Sequence, residues 1–505
     1  MLEIRKPKVL MFLCVLFVLV FVIGAFLLFE KQYCMEVPIV GEEKFLAYTN
    51  DLSIDITQLR FNNREIAADI AENTIYISQA TDKISHYTAF QGKLDSKNPN
   101  YSLFFLKNVA MDDVSSAICG GAPLTLAIVC GDTYRFVDVI ITTLPVINMS
   151  GEQTHLNEDG RAVFSGSATL WAGRSAPENA YFTTSSDLQW HIRGNSTALE
   201  PKNSWKLSFK DENGGNRDLD LLGLGKDDDW ILNSLTMDDT RIREKLFMDL
   251  WNTITAETDH NYKMSSGGYV EVVLGGKYMG LFLLQRRLDA KYLELSDEDV
   301  LLKVTHYQPA SVEEAYEFVT PTADPEKIYA MMQGVFDGTD VSRYNLDNIA
   351  DTNLMLQMTC ALDNVSFKNM YIVLNKNHDD YTVFFVPWDT DMSFGVVWKD
   401  GIGFCYDYRL TMDVYPVRIE TDSILRACPE YQETVSQNWK YLRKTVLTEN
   451  KILAHIDELY HRLDASGALT RDISLWSNRY GEADTVDALR KYIRERLAVM
   501  DMMYS

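Results

Sequence analysis

From about residue 38 to residue 145 the apolar positions come in short runs, or alternate with polar ones, and turn residues break them up. Residues 54–59, 74–78, 101–106, 124–129 and 133–142 are rich in Ile, Val, Thr, Tyr and Phe, the types that suit a pleated, half-buried surface. Regular short strands with few helical stretches predict a small β-sandwich over residues 38–145. Turn residues accumulate between Pro145 and Gly160 and mark a boundary. Beyond it, strands recur at 168–170, 188–192 and 204–209. The apolar period then lengthens: Ile242, Leu246 and Leu250 fall on one face of a helix over 240–254, with Asp238 or Asp239 as its N-cap. Two strands, 268–274 and 278–284, flank Gly275-Gly276-Lys277, a hairpin turn. After Pro321 helical spacing dominates, over 325–336, 345–362, 423–446, 449–465 and 483–503, interrupted by strands at 370–374 and 383–386. A β-rich half followed by a mostly helical half outlines an α+β, two-lobed catalytic domain over residues 150–505.

The N-terminus adds a membrane element. Arg5, Lys6 and Lys8 precede an uncharged run over residues 9–29, which at about 1.5 Å per residue crosses a hydrocarbon core of about 30 Å. No small-residue cleavage site follows, so the run reads as a transmembrane signal anchor. With basic residues on the short side, residues 1–8 are cytoplasmic and the domains after residue 30 are extracytoplasmic. A cleaved signal peptide is the competing reading.

The chain has 72 acidic and 48 basic residues, a net charge of −24, which argues against a nucleic-acid partner bound through a general basic surface. Seven cysteines are too sparse for a disulfide framework. Cys119 and Cys130 flank a Gly-Gly-Ala-Pro turn, a spacing that suits either one hairpin disulfide or two buried thiols.

The densest chemistry lies between Asp363 and Gly395. Asp363-Asn364 and Lys368-Asn369 lead into one apolar strand. After a turn at residues 377–380, the second strand runs into Pro387-Trp388-Asp389-Thr390-Asp391. A hairpin brings these two ends together into an oxygen-rich pocket, the ligand set that Mg2+ or Mn2+ prefers. Strand and helix capping, or a structural Ca2+ site, uses the same residue types. Elsewhere, the turn His191-Ile192-Arg193-Gly194-Asn195-Ser196 offers amides, a hydroxyl and a guanidinium to phosphate oxygens. Lys206, in an alternating strand, and Lys303, in an apolar one, are rival phosphate-binding cations. Glu244 in the first long helix is a candidate partner for such a lysine, and Gln285 follows a strand where a connection between lobes meets a nucleotide.

Together these segments resemble the CotH family, the spore-coat protein H group of atypical protein kinases. The match runs in order through His191–Ser196 with Lys206, Asp229–Leu232 with Arg243–Leu246, Gly268–Glu271 with Gly280–Leu284, and Asp363–Asn369 with Pro387–Gly395. The resemblance implies an atypical kinase-like, two-lobed fold that binds ATP with Mg2+ or Mn2+ and phosphorylates Ser or Thr of a protein substrate at the cell surface or spore coat. It implies Asp363 as the catalytic Asp, Asn369 and Asp389 as metal ligands with Asp391 a possible further one, Lys206 as the phosphate lysine, and Arg193, Gly194, Asn195 and Ser196 as the phosphate loop. Where many relatives carry Thr-Glu-Gln, this chain has Leu284-Gln285-Arg286, which leaves the partner of the lysine open. A surface scaffold that keeps the fold without catalysis is the alternative.

Overall fold

The computed structural model describes residues 33–78, 93–107, 121–173, 182–194, 196–304, 309–337, 341–364, 369–396, 425 and 427–504. The expected anchor at 9–29 and Cys119 lie outside them. Among the described residues no helix is long and apolar enough to cross a membrane.

Before residue 145 the chain forms a seven-stranded mixed sheet, ordered Tyr33–Cys34, Val37–Val40, Ser102–Leu106, Leu124–Cys130, Thr133–Thr142, Thr74–Ser78 and Ala67–Asp69, beside a three-stranded sheet. The strand expected at 54–59 begins instead as a 3-10 turn, Ile56–Gln58, because the Asp55 carboxylate accepts from the Thr57 amide and caps it. The larger sheet packs directly against strands from beyond residue 145. The Tyr76 ring stacks on Tyr278 at 4.5 Å, the Asp69 carboxylate accepts from the Tyr278 amide, and Val146, Trp171 and Val273 join the same apolar core.

Seven strands then close into a barrel, in the order Val146–Leu156, Ala162–Gly173, Phe182–Arg193, Ser204–Lys210, Asp229–Asn233, Lys277–Arg286 and Gly267–Leu274. Parallel pairing of the last with the first completes it. Alternation sets the two faces: Trp205, Leu207 and Phe209 are buried in the barrel, so Lys206 and Ser208 point outward. Ile231, Leu281 and Leu283, on the outer face, pack against Leu246, Phe247 and Trp251 of the helix Arg243–Glu257 in the largest core of the molecule. That helix starts at Arg243 rather than at 240. Arg241 adopts a left-handed backbone, φ 61°, and the Asp238 carboxylate reaches past the turn to accept from the Arg243 amide at 2.7 Å.

A four-stranded antiparallel sheet, Tyr316–Phe318, Val300–Val304, Met370–Asn377 and Asp380–Pro387, lines one cavity together with strands of the barrel. Behind it lie the helices Leu346–Thr359, Pro429–Leu442, Glu449–Ala465 and Val486–Tyr504. Leu346–Thr359 stops short of the expected residue 362 because Cys360 turns left-handed at φ 50°. A further helix, Ala468–Trp476, has no counterpart in the sequence pattern: it starts at Gly467 with no side-chain cap and spans nine residues. The architecture is α+β.

Candidate active site at the hairpin mouth

Met370 pairs with Pro387 in the hairpin ladder, so the residues flanking the hairpin are neighbours. Backbone hydrogen bonding continues one step further, with Trp388 N donating to Asn369 O at 3.1 Å. The buried Asn364 side chain ties both strands off, donating to Asn369 O at 2.9 Å and Trp388 O at 2.7 Å. Beside it, Asn369 Nδ2 donates to Asp363 Oδ2 at 2.8 Å. Asn369 and Asp389 both sit in the left-handed region, at φ 51° and 57°. Asn and Asp reach that region more readily than other side chains, and such residues gather where a site dictates backbone direction.

Past Asp389 the chain meets Glu244, which is 0 % exposed. Thr390 gives it two hydrogen bonds, from its amide at 2.6 Å and its hydroxyl at 3.0 Å, both to Oε2. Glu244 Oε1 is buried and has no hydrogen-bond partner among the described residues. Burial, and then the charge of Asp389, push the Glu244 carboxyl up to about 7, against the pull of Thr390. Asp391 is also raised well above the usual carboxylate range, by burial and by the charges of Asp389, Glu244 and Asp363. The hairpin therefore brings Asp363, Asn369 and Asp389 to one corner, with Asp391 and Glu244 within reach of their charges, although among the described residues the three carboxylates whose oxygens lie within 4.8 Å of one another are Asp218, Asp227 and Asp228. Glu244 is buried while Asp363, Asn369, Asp389 and Asp391 are half-buried, and a set of oxygens of this kind, one without a donor, is the type a hard divalent cation takes.

A cavity of about 240 Å³ adjoins this corner, lined by His191, Arg193, Lys206, Arg287 and Lys303 with Ile231, Tyr371 and Trp388. Lys206 and Arg287 are held by one carboxylate: Asp229 Oδ2 lies 2.8 Å from Lys206 Nζ and 2.9 Å from Arg287 Nη1, and Asp229 Oδ1 accepts from Ser208 at 2.5 Å. Lys303 has no ion-paired or hydrogen-bonded partner among the described residues. Burial lowers its pKa, with Glu317 opposing. Arg193 stands between the two halves. Its guanidinium lies 5.5 Å from the Trp388 ring, and it borders a second small cavity with Gly194, Asp389 and Asp391. Gly194 has φ +96°, and a Cβ there would meet Thr197 Oγ1 at 2.2 Å, so the turn requires glycine. From outside, Arg161 braces the turn by donating to Ile192 O at 3.1 Å and Gly194 O at 2.7 Å.

The structure thus brings Asp363, Asn369, Asp389, Asp391 and Glu244 together, with Arg193, Gly194 and Lys206 beside them. Asn195 and the Ser196 side chain lie outside the described residues. Gln285 is buried on the outer face of the barrel as the cross-strand neighbour of Ile231, a residue of the cavity wall, but does not itself line the cavity. Glu244 does not pair with Lys206, whose carboxylate partner is Asp229. The spacing of motifs assigns no individual role to Asp229 or Thr390. For Asp229 the sequence holds one trace, a polar residue one position before a Trp that faces the barrel.

A search of curated proteins finds no match to the chain. Against protein-family models, residues 190–500 match the family described as CotH kinase protein, a span that holds every acidic and basic residue of the site except Arg161, and the chain belongs to that family.

Proposed function

We propose that the chain is an atypical protein kinase that moves the γ-phosphoryl group of ATP to Ser or Thr of a surface or spore-coat protein. One observation carries this reading: the carboxylate corner and the cationic cavity share a border at Arg193, which matches a polyphosphate whose far end carries a divalent cation. Asp389, Asp391 and Asn369 are the residues that would hold Mg2+ or Mn2+, and the ion supplies neutralisation of charge on the transferring group. Lys206, Arg287 and Lys303 hold phosphate oxygens, and Arg193 faces the end of the chain of phosphates. The apolar walls of the cavity take the base.

Asp363 is half-buried beside Asn369. It accepts the proton of the acceptor hydroxyl as that oxygen bonds to the γ-phosphorus, the bridging P–O bond breaks, and ADP leaves with the electron pair. Asn369 keeps the Asp363 carboxylate oriented through its 2.8 Å hydrogen bond. The two walls of the cleft act as the two lobes, and residues 9–29 anchor them on the outer side of a membrane.

The test is incubation of the chain with labelled ATP and Mn2+, alone and with a Ser-rich protein, beside Asp363→Asn. Label in the wild type that falls at least about 100-fold in the variant supports the proposal. Equal labelling of both, or no nucleotide binding by calorimetry, removes it in favour of a scaffold that has lost catalysis.

A further inference from the structure

Glu244 is the helix-borne acid that the sequence offers as a partner for the phosphate lysine, yet it is committed elsewhere. Its Oε2 receives both hydrogen bonds from Thr390, the residue between Asp389 and Asp391. The turn is closed on its far side by Ser393, whose hydroxyl donates to Thr390 O at 2.6 Å. Glu244 is also fixed from behind. Its neighbour Arg243 is fully buried and ion-paired to Asp238 and, at 2.6 Å, to Asp484, and its helix packs Leu246 and Phe247 into the largest core. A helix start bolted in this way cannot carry Glu244 across to Lys206 without breaking buried charge pairs, which costs several kcal/mol. Lys206 has no need of it, because Asp229 holds that lysine.

We infer that Glu244 is a positioning residue for the metal-binding turn: by receiving the Thr390 amide and hydroxyl it fixes the direction in which Asp389 and Asp391 point, and it takes no part in holding Lys206. The inference rests on the phosphoryl-transfer reading above. Its chemistry is that of an outer-shell acceptor, whose loss typically weakens a metal site by about 10- to 100-fold. What matters is an oxygen at the Oε2 position rather than a negative charge, and a glutamine supplies that oxygen.

The experiment measures Mn2+ binding to the full chain by paramagnetic resonance, and separately ATP binding in excess chelator, for wild type, Glu244→Leu and Glu244→Gln. Expected are a fall of about tenfold or more in Mn2+ affinity for Glu244→Leu and near-complete rescue in Glu244→Gln. Metal-free ATP affinity stays within about twofold throughout. If Glu244→Gln loses Mn2+ as badly as Glu244→Leu, or if either variant loses metal-free ATP, the inference is overturned. Should Glu244→Leu fail to fold, the Mn2+ and ATP affinities of Glu244→Gln decide the matter alone. A wild type that binds neither probe removes the kinase reading, and this inference with it, whereas binding with the losses reversed removes only the inference.

Discussion

The two halves of the cleft solve the problem of buried charge in opposite ways. On the cationic side, Lys206 and Arg287 share one carboxylate, Asp229, and remain partly open to water. Their charges are compensated before any ligand arrives. On the acidic side, the charge of Asp389 helps to raise the pKa of both Glu244 and Asp391, and the deepest oxygen, Glu244 Oε1, has no donor among the described residues. That half is electrostatically incomplete. A site with one partly compensated and one uncompensated half binds its two ligands differently: the anion adds to a frame that Asp229 already holds in place, and the cation supplies stability the fold lacks.

The largest effect expected from this contrast is in Asp389→Asn. Asn tolerates the left-handed backbone at φ 57° at least as well as Asp, so the turn survives and only charge is lost. Phosphoryl transfer should fall by roughly 100- to 1,000-fold. Thermal stability of the metal-free protein should rise, because a source of repulsion for Glu244 and Asp391 has gone. Calorimetry of the variant without metal checks this, and a lower midpoint than wild type breaks the claim that the acidic half is strained by its own charges.

Next in size is the pH dependence. The Glu244 carboxyl titrates near 7 in the folded chain and near its ordinary value of 4.5 in the unfolded one. Between these values the folded state holds a proton that the unfolded state has released, so stability falls as pH rises. The contribution is fully favourable below about 4.5, and its loss levels off above about 7. The slope within that window is on the order of 1 kcal/mol per pH unit. It should be reduced in Glu244→Gln, where Asp391 alone of the two keeps a raised carboxyl, measured by denaturant unfolding at a series of pH values. Mg2+ should raise the wild-type midpoint more as pH rises, because Asp391, a proposed ligand whose carboxyl is also raised, must lose its proton to bind the ion.

How much of this is legible in the sequence follows the same division. The acidic corner is readable because a hairpin is a local object: Asp363, Asn369 and Asp389 flank two strands whose apolar runs are plain, and antiparallel pairing leaves the flanks no other place to go. The Lys206 strand is readable for a similar reason, its alternation fixing which side chains leave the barrel. The barrel itself is not, since closure depends on a parallel contact between residues 146–149 and 271–274 that no local period announces. Nor is the true partner of Lys206: the sequence offers Glu244, and only the position of the helix start, set by Asp238 and Asp484, excludes it in favour of Asp229. The helix Ala468–Trp476 escapes notice because it carries no capping residue, although Asp472 within it anchors both Lys202 and Arg241.

The smallest expected effect separates the two lysines. Lys206 is already paired, so Lys206→Met removes a phosphate contact but leaves Asp229 satisfied by Arg287 and Ser208. The net loss should be modest, about threefold in metal-free ATP affinity, as for a partly exposed ion pair. Lys303 is different. Its charge is half-buried without an ion-paired partner among the described residues, and burial lowers its pKa against the nearby charge of Glu317, so a phosphate would be its first directly bonded counter-charge. Lys303→Met should weaken metal-free ATP by about tenfold, the value of one charge-assisted hydrogen bond. It should also leave the apo protein as stable as before or more so, since a methionine fills the same volume without desolvating an ammonium group. Calorimetric titration of both variants decides between them, and a larger loss for Lys206→Met would mean that the compensated cation, not the uncompensated one, carries the nucleotide.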